Sequence, residues 1–459
     1  MITWRLCFSH RAFLLLTPLT PVLVRVVYFQ HFCYNGTKQE AMQNAYHACE
    51  GKGCRDMKDM EKGTIQGAAQ AAGQRKRMAN LELLRCVAMM MVIVLHYLGK
   101  GGLLADLSEE HLGGAAAAAW LLECFCIVAV NVYMLISGYF LCTSSFKLSR
   151  LIQLWLQIWF YSVTFGLIGA LTGVLEETAF DTHYLLTLLF PVSMGHYWFM
   201  TAYLFLYLLL PFVGMTVKGM TKRQMQFSLG LLLFAFCFLK SILPVRLEMD
   251  AQGYDCLWYL CVFVAAAFMR RFGIPFLERR GRAFLLYVGC CLLIFAGTFA
   301  LREVYLRTGS LDRMLEMCLN YNHILPLLAA LGLFGVFQGL RIEGRAAACI
   351  IKVAPYTLGV YLLHENLGLR YTWQKWLGAE RVVSRMADSA AVGNGQGVPG
   401  TVGALLLWTT VAVVCVFVCG ILADVVRKWV FGILHRGLST LGPYRKLTAW
   451  IAKADALFR

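Results

Sequence analysis

An apolar run from Leu81 to Leu98 carries Glu82, Arg85 and His96, three ionisable residues in a stretch long enough to cross a bilayer. A charged side chain at the centre of such a span costs about 2.5–3.5 kcal/mol on insertion scales, so it needs a structural or functional reason. On a helix turning about 100° per residue, Arg85 lies roughly 60° from Glu82, and His96 about 40° from Glu82. Arg85 and His96 differ by only about 20° in angle but by roughly 16 Å in height. One polar stripe therefore runs up this helix, with a cation near one mouth and a titratable base near the other. A histidine is the usual general base for taking a proton from a hydroxyl, which makes His96 the candidate base and Glu82 its candidate catalytic partner.

Two further histidines fall at the same ends of spans as His96: His196 opens the fourth span and His364 closes the ninth, followed by Glu365. A lone interfacial histidine is more often hydrogen-bonded and inert, and His196 sits in His-Tyr-Trp-Phe, a belt that marks interfaces by itself. His364 and Glu365 form a candidate base–orienter pair, although neighbours on a helix point about 100° apart and do not readily bond each other. Asn131, Ser137 and Tyr139 lie on the second span; Asn131 and Tyr139, with His196, Trp198, Tyr361, His364 and Glu365, are candidates for meeting an acceptor or an oxyanion. At the other face, Lys147-Leu-Ser-Arg150 puts one cation per turn at the start of the third span. With Arg85 these are candidates for holding the phosphates of a nucleotide carrier; the plain alternative is positive-inside charge with no ligand.

The elements that must position these residues are membrane helices. The chain of 459 residues is 59% hydrophobic and 15% charged, with a mean hydropathy of +0.62, whereas soluble domains carry about 25% charged residues. Ten spans are expected, near 79–98, 116–141, 149–172, 196–217, 224–243, 254–270, 283–301, 321–340, 347–367 and 401–423. Arg75-Lys-Arg77 before the first span places its start in the cytoplasm. The loops then expected inside carry Lys147 and Arg150, Lys218 to Arg223, Arg270 to Arg282, and Arg341 and Arg345, whereas Glu176, Glu177 and Asp181 fall outside. The fold expected is all-α and polytopic, with both ends of the core cytoplasmic and a basic tail at 431–459.

The net charge of +16 follows this loop pattern, and nucleic-acid-reading patterns are missing, so no nucleic-acid partner is expected. Most of the cysteines lie within spans as small apolar fillers, and no CxxC pair with matching histidines suggests a metal site. No phosphate-binding Gly-rich loop and no G-x-S-x-G elbow is present, which argues against ATP-driven transport and soluble hydrolase chemistry.

Residues 1–77 depart from this pattern: the apolar stretch 14–29 is broken by Pro18, Pro21 and Arg25, and 35–74 is polar and aperiodic. The favoured reading is an upstream extension to a chain that starts at Met78; the other is an interfacial or spanning helix with a disordered linker. The Gly/Ala/Ser-rich stretch 378–400 is expected as a loop on the outer face, either a linker or a lid.

Four stretches, taken together, resemble the acyltransferase 3 family of integral-membrane O-acyltransferases. They are Asn80-Leu-Glu-Leu-Leu-Arg85 with His96, Val130-Asn-Val-Tyr-Met-Leu-Ile-Ser-Gly-Tyr-Phe140, Tyr197-Trp-Phe with Tyr203, Tyr207 and Pro211, and Thr357-Leu-Gly-Val-Tyr-Leu-Leu-His364-Glu. The likeness spans roughly 78 to 430. The family often shows Arg-x-x-Arg at the third span, where this chain has Lys147-x-x-Arg150; lysine keeps the charge and loses the bidentate fork. The resemblance implies transfer of an acyl group, acetyl by default, from cytoplasmic acetyl-CoA or another acyl-CoA to a hydroxyl of a cell-surface or lipid-linked glycan. It implies His96 as base, Arg85 as a donor-site or structural cation, no bound cofactor, a stand-alone enzyme of the Gram-positive type in the bacterial plasma membrane, and glycan-synthesis machinery as a partner. The alternative from another class is a proton-coupled secondary transporter of a polar solute, which a buried Arg, Glu and His would also suit.

Overall fold

Each apolar run becomes a helix in the computed structural model, which describes residues 77–172, 181–243, 251–391 and 400–458. The expectations for the N-terminal extension concern residues outside the described ones. Among the described residues every regular element is helical. The elements that matter here are α1 (Ala79–Lys100), α2 (Gly114–Cys126), α3 (Ala129–Leu141), α4 (Leu148–Leu171), α5 (Thr182–Leu189) and α6 (Trp198–Gly219). They continue with α7 (Lys222–Leu233), α8 (Cys256–Phe272), α9 (Arg280–Thr308), α10 (Ile324–Gln338), α11 (Gly344–Val353) and α12 (Thr357–His364). The last are α13 (Trp373–Trp376), α14 (Ala379–Ala391), α15 (Thr401–Leu438) and α16 (Gly442–Ala456).

Among the described residues, nine helical stretches are long and apolar enough to cross a membrane. The expected span outside this set is the sixth, α8, at 17 residues shorter than the others and largely buried among its neighbours, with Trp258, Tyr259, Cys261, Phe263 and Ala267 enclosed. A helix walled by protein does not need the full length of a lipid-facing one. The second expected span is broken into α2 and α3 by a turn at Ile127–Val128. The last span runs on as α15 for 38 residues, about 57 Å at 1.5 Å per residue against a hydrocarbon core of about 30 Å. The tail beyond it is helical too, as α16, tied back to α4 where the Ser149 hydroxyl donates to Asp455 Oδ2 over 2.5 Å.

The polar stripe sits on the most enclosed long helix. α1 packs against α2, α3, α10, α11, α12 and α15, and Leu81, Leu84, Ala88, Ile93, Tyr97 and Leu98 are all buried. Lipid gives no hydrophobic drive for helices to associate, so close backbone approach and interhelical hydrogen bonds hold such a bundle. α3 and α8 meet at Gly138, where an added Cβ would stand 2.8 Å from Ala266 Cβ and 3.0 Å from Phe263 Cα. Asn131 ties the same pair together: its Oδ1 accepts from Trp258 Nε1 at 2.9 Å, and its Nδ2 donates to the Tyr321 carbonyl at 2.8 Å.

The stretch expected as a loop over 378–400 is instead helix α14 as far as Ala391, with 392–399 outside the described residues. Ala379, Val382, Val383 and Met386 recur at helical spacing and pack inward. Gly378 opens this helix at φ +81, where a Cβ would also stand 2.5 Å from the Trp408 ring. Both serines of the stretch, Ser384 and Ser389, lie within this helix, and four of its five glycines come after Ala391.

Candidate functional site

His96 lies one turn before the end of α1 and meets the end of α12. α12 closes at His364, and the chain turns through 365–372 before α13. That turn carries most of the site and is held by its own polar contacts. Asn366 Nδ2 donates to the Tyr161 carbonyl at 2.9 Å and to the Tyr197 hydroxyl at 3.1 Å, while its Oδ1 accepts from the Gly368 amide. Trp373 Nε1 donates to the His364 carbonyl, and Gln374 Nε2 to the carbonyls of Arg370 and His96.

Proton positions at the two histidines follow from their partners. His364 Nδ1 is 2.6 Å from the Val360 carbonyl, which only accepts, so Nδ1 carries the proton and Nε2 presents a lone pair. That lone pair lies 2.9 Å from His96 Nδ1, and Glu365 Oε1 lies 3.1 Å from the same nitrogen. With an acceptor on each side, His96 Nδ1 carries the proton. Its Nε2 is then the basic nitrogen, and no described residue bonds to it. Carboxylate and imidazole acceptors behind one ring nitrogen leave the other available as a base, the arrangement that general-base histidines use.

Glu365 is the charge centre of the group. Its Oε1 also takes the Lys100 ammonium in a close ion pair, and its Oε2 lies 3.7 Å from Arg370. Burial pushes the Glu365 carboxyl up, but His96, Lys100, His364 and Arg370 outweigh it and hold the pKa at about 2. The carboxylate therefore stays ionised at any physiological pH. His96 Nδ1, His364 Nε2 and the Glu365 carboxylate also have the proximity of a three-ligand metal set. The 2.9 Å N···N distance is that of a hydrogen bond, shorter than the roughly 3.3 Å between ligands of a tetrahedral zinc, and Lys100 already neutralises the carboxylate. The donor chemistry fits a proton relay better than a metal centre.

His196 is near this group without facing the chemistry. Its Nε2 accepts from the Leu367 amide at 3.1 Å, and its Nδ1 donates to the Ser162 hydroxyl at 3.2 Å. Burial, then the charge of Arg370, lowers its pKa to about 3, so it is neutral with both nitrogens engaged and serves to anchor the turn. Tyr361 packs edge-on against His364 at 6.1 Å, within the same buried layer. Trp198 lies farther out, ringed by Tyr254 at 4.5 Å and Tyr321 at 5.9 Å.

The remaining sequence candidates are elsewhere. Glu82 pairs with Arg85 at 3.0 Å, about 21 Å below His96 by helix rise, so it does not touch the base it was grouped with. The reason is spacing: fourteen residues return to the same angle only after nearly four turns. Tyr139 is also at the basic face, its hydroxyl accepting from Arg270 at 3.0 Å and from Gln338 at 3.3 Å. Asn131 spends its amide on the cross-link between helices. Lys147 exchanges backbone bonds with the Tyr207 hydroxyl, and Arg150 lies over the Tyr207 ring.

Sequence reasoning missed Lys100, Arg370 and Gln374. Lys100 had a signal, standing one turn beyond His96 on the same stripe at i+4. Arg370 and Gln374 had none, because an irregular turn has no period.

The sequence model of a family described as an acyltransferase domain matches residues 78–424. No curated protein and no solved structure matches the chain.

Proposed function

We propose that this chain, which belongs to the acyltransferase 3 family, transfers an acyl group, acetyl by default, from a cytoplasmic acyl-CoA to a hydroxyl of a cell-surface or lipid-linked glycan. It is an acyltransferase and a multi-pass membrane protein; donor, acceptor and the bacterial plasma membrane as its site are the proposed parts. The observation that carries the reading is His96 Nε2, to which no described residue bonds, backed at Nδ1 by His364 and Glu365.

In this mechanism the acceptor hydroxyl gives its proton to His96 Nε2 as its oxygen attacks the thioester carbonyl carbon. The resulting imidazolium is stabilised by Glu365, which lies against Nδ1–H and stays charged. Collapse of the tetrahedral intermediate breaks the C–S bond, and the departing thiolate recovers the proton from Nε2. The products are an ester and free thiol, and the histidine returns to its starting state. The donor's phosphates would lie at the basic face near Arg85, with Lys147 and Arg150 as further candidates. The pantetheine arm would cover the roughly 16 Å up the stripe to His96.

The test supplies the reconstituted protein with radiolabelled acetyl-CoA and a cell-envelope glycan extract. Wild type should label glycan, and His96→Ala should lose about 10²–10⁴ of the rate, the usual contribution of a general base, while still inserting in the membrane. Full transfer by a folded His96→Ala protein removes His96 from the chemistry. No transfer from any acyl-CoA by folded wild type would favour proton-coupled transport.

A further inference from the structure

One oxygen of Glu365 serves two groups that repel each other once both are charged. His96 Nδ1 lies 3.1 Å from Oε1, and the Lys100 ammonium is in direct contact with the same atom. The other charged or titratable groups facing His96 are His364, whose Nε2 is 2.9 Å from Nδ1, and Arg370, 3.7 Å from Glu365 Oε2. α1 fixes the spacing of its two members of this group, because Lys100 stands at i+4 from His96 on the same helical face.

The two permanent cations have different duties. Arg370 is committed to backbone: its Nη2 donates to the carbonyls of His196 at 2.9 Å and Glu365 at 3.1 Å. It would hold the turn whatever the state of the carboxylate. Lys100 has no backbone duty. Among the described residues its hydrogen bond goes to Glu365 Oε1, and its ammonium lies 5.6 Å from the centre of the exposed Tyr371 ring.

An ionised carboxylate against an imidazole favours the imidazolium, which carries a proton on both nitrogens and so has no lone pair for a substrate. A second cation on the same oxygen works the other way, and in a water-poor site that repulsion is strong. We propose that Lys100 is a positioning residue for the base: by occupying Glu365 Oε1 it keeps His96 neutral at rest, with Nε2 open to the acceptor hydroxyl. The same repulsion then helps the ring return that proton to the departing thiolate. The proposal rests on the acyltransferase reading for where the proton comes from and goes, so its first test needs no substrate.

Deuterium exchange at the His96 Cε1–H reports the charge state of that ring. It is read by mass spectrometry on the full chain in nanodiscs, across roughly pH 4 to 10 to bracket the imidazole range. Lys100→Met, which keeps the stem and drops the charge, should raise the His96 midpoint by about 1–2 pH units, and Lys100→Arg should restore it to within about half a unit. Lys100→Gln, which can still donate to Oε1, should behave as Lys100→Met does. In the transfer assay the acid limb of kcat/KM should move up in pH by the same amount in both neutral variants, with the rate recovered above it.

A lysine that served only to stabilise the buried carboxylate would lower activity alike at every pH and leave the midpoint in place. That result overturns the proposal, as does a midpoint that falls. Loss of membrane insertion in both neutral variants but not in Lys100→Arg makes Lys100 a folding residue and overturns it too. A raised midpoint in protein whose wild type transfers no acyl group keeps the role of Lys100 and overturns the acyltransferase reading instead.

Discussion

At the scale of single residues, the site depends on how one carboxylate is shared. Glu365 faces His96 and Lys100 through one oxygen and Arg370 through the other. Its pKa is depressed in the folded protein, so its stabilising contribution is complete above the ordinary carboxylate range and is lost as pH falls toward about 2. Glu365→Gln should therefore be less stable than wild type by a constant amount from pH 6 to 9. The gap should shrink below about pH 4, near the unperturbed carboxylate pKa. Thermal unfolding of the two proteins across that range checks this; a gap that widens in acid would mean that Glu365 is not held as an ion. His96 as a candidate was legible because an ionisable residue in an apolar run is conspicuous. Its partners His364 and Glu365 were noticed only as a pair of neighbours, and they bond to His96 rather than to each other.

At the scale of elements, the bundle relies on small residues and polar cross-links where lipid supplies no hydrophobic drive. Gly138 allows α3 to lie on α8, and Asn131 fastens the contact about two turns along the same face. Gly138→Val should cost about 1–3 kcal/mol through overpacking, read as a lower melting temperature in detergent. Gly289→Ala is the control: nothing lies within 4 Å of an added Cβ there, so no loss is expected. An unaffected Gly138→Val protein would mean that the two helices are free to separate. The run of apolar residues announced α3 and α8 as helices, while their contact depended on one residue whose partner lies more than a hundred positions away.

At the scale of the whole molecule, the two clusters stand at opposite ends of α1: Glu82–Arg85 among the basic loops, His96–His364–Glu365 at the other end. A reaction joining a donor from one side to an acceptor from the other needs that separation. A thiol introduced by Asp312→Cys should react with an impermeant reagent in intact cells above the parent's background. One introduced by Arg341→Cys should do so only after lysis. The reverse pattern would invert the membrane orientation and with it the assignment of donor and acceptor faces.

Sequence alone determined the helical class, the place of each apolar run along the chain and the stripe on α1. These follow from hydropathy and periodicity, which act along the chain. It misjudged 378–400, where Gly, Ala and Ser content masked the helical spacing of Ala379, Val382, Val383 and Met386. Only the tertiary structure decided that His196 is an anchor and that Lys100 and Arg370 complete the charge around Glu365. Those are contacts between an irregular turn and distant helices. Neither spacing nor composition encodes them, because the turn's direction is set by what Asn366, Trp373 and Gln374 find to bond with once the bundle has formed.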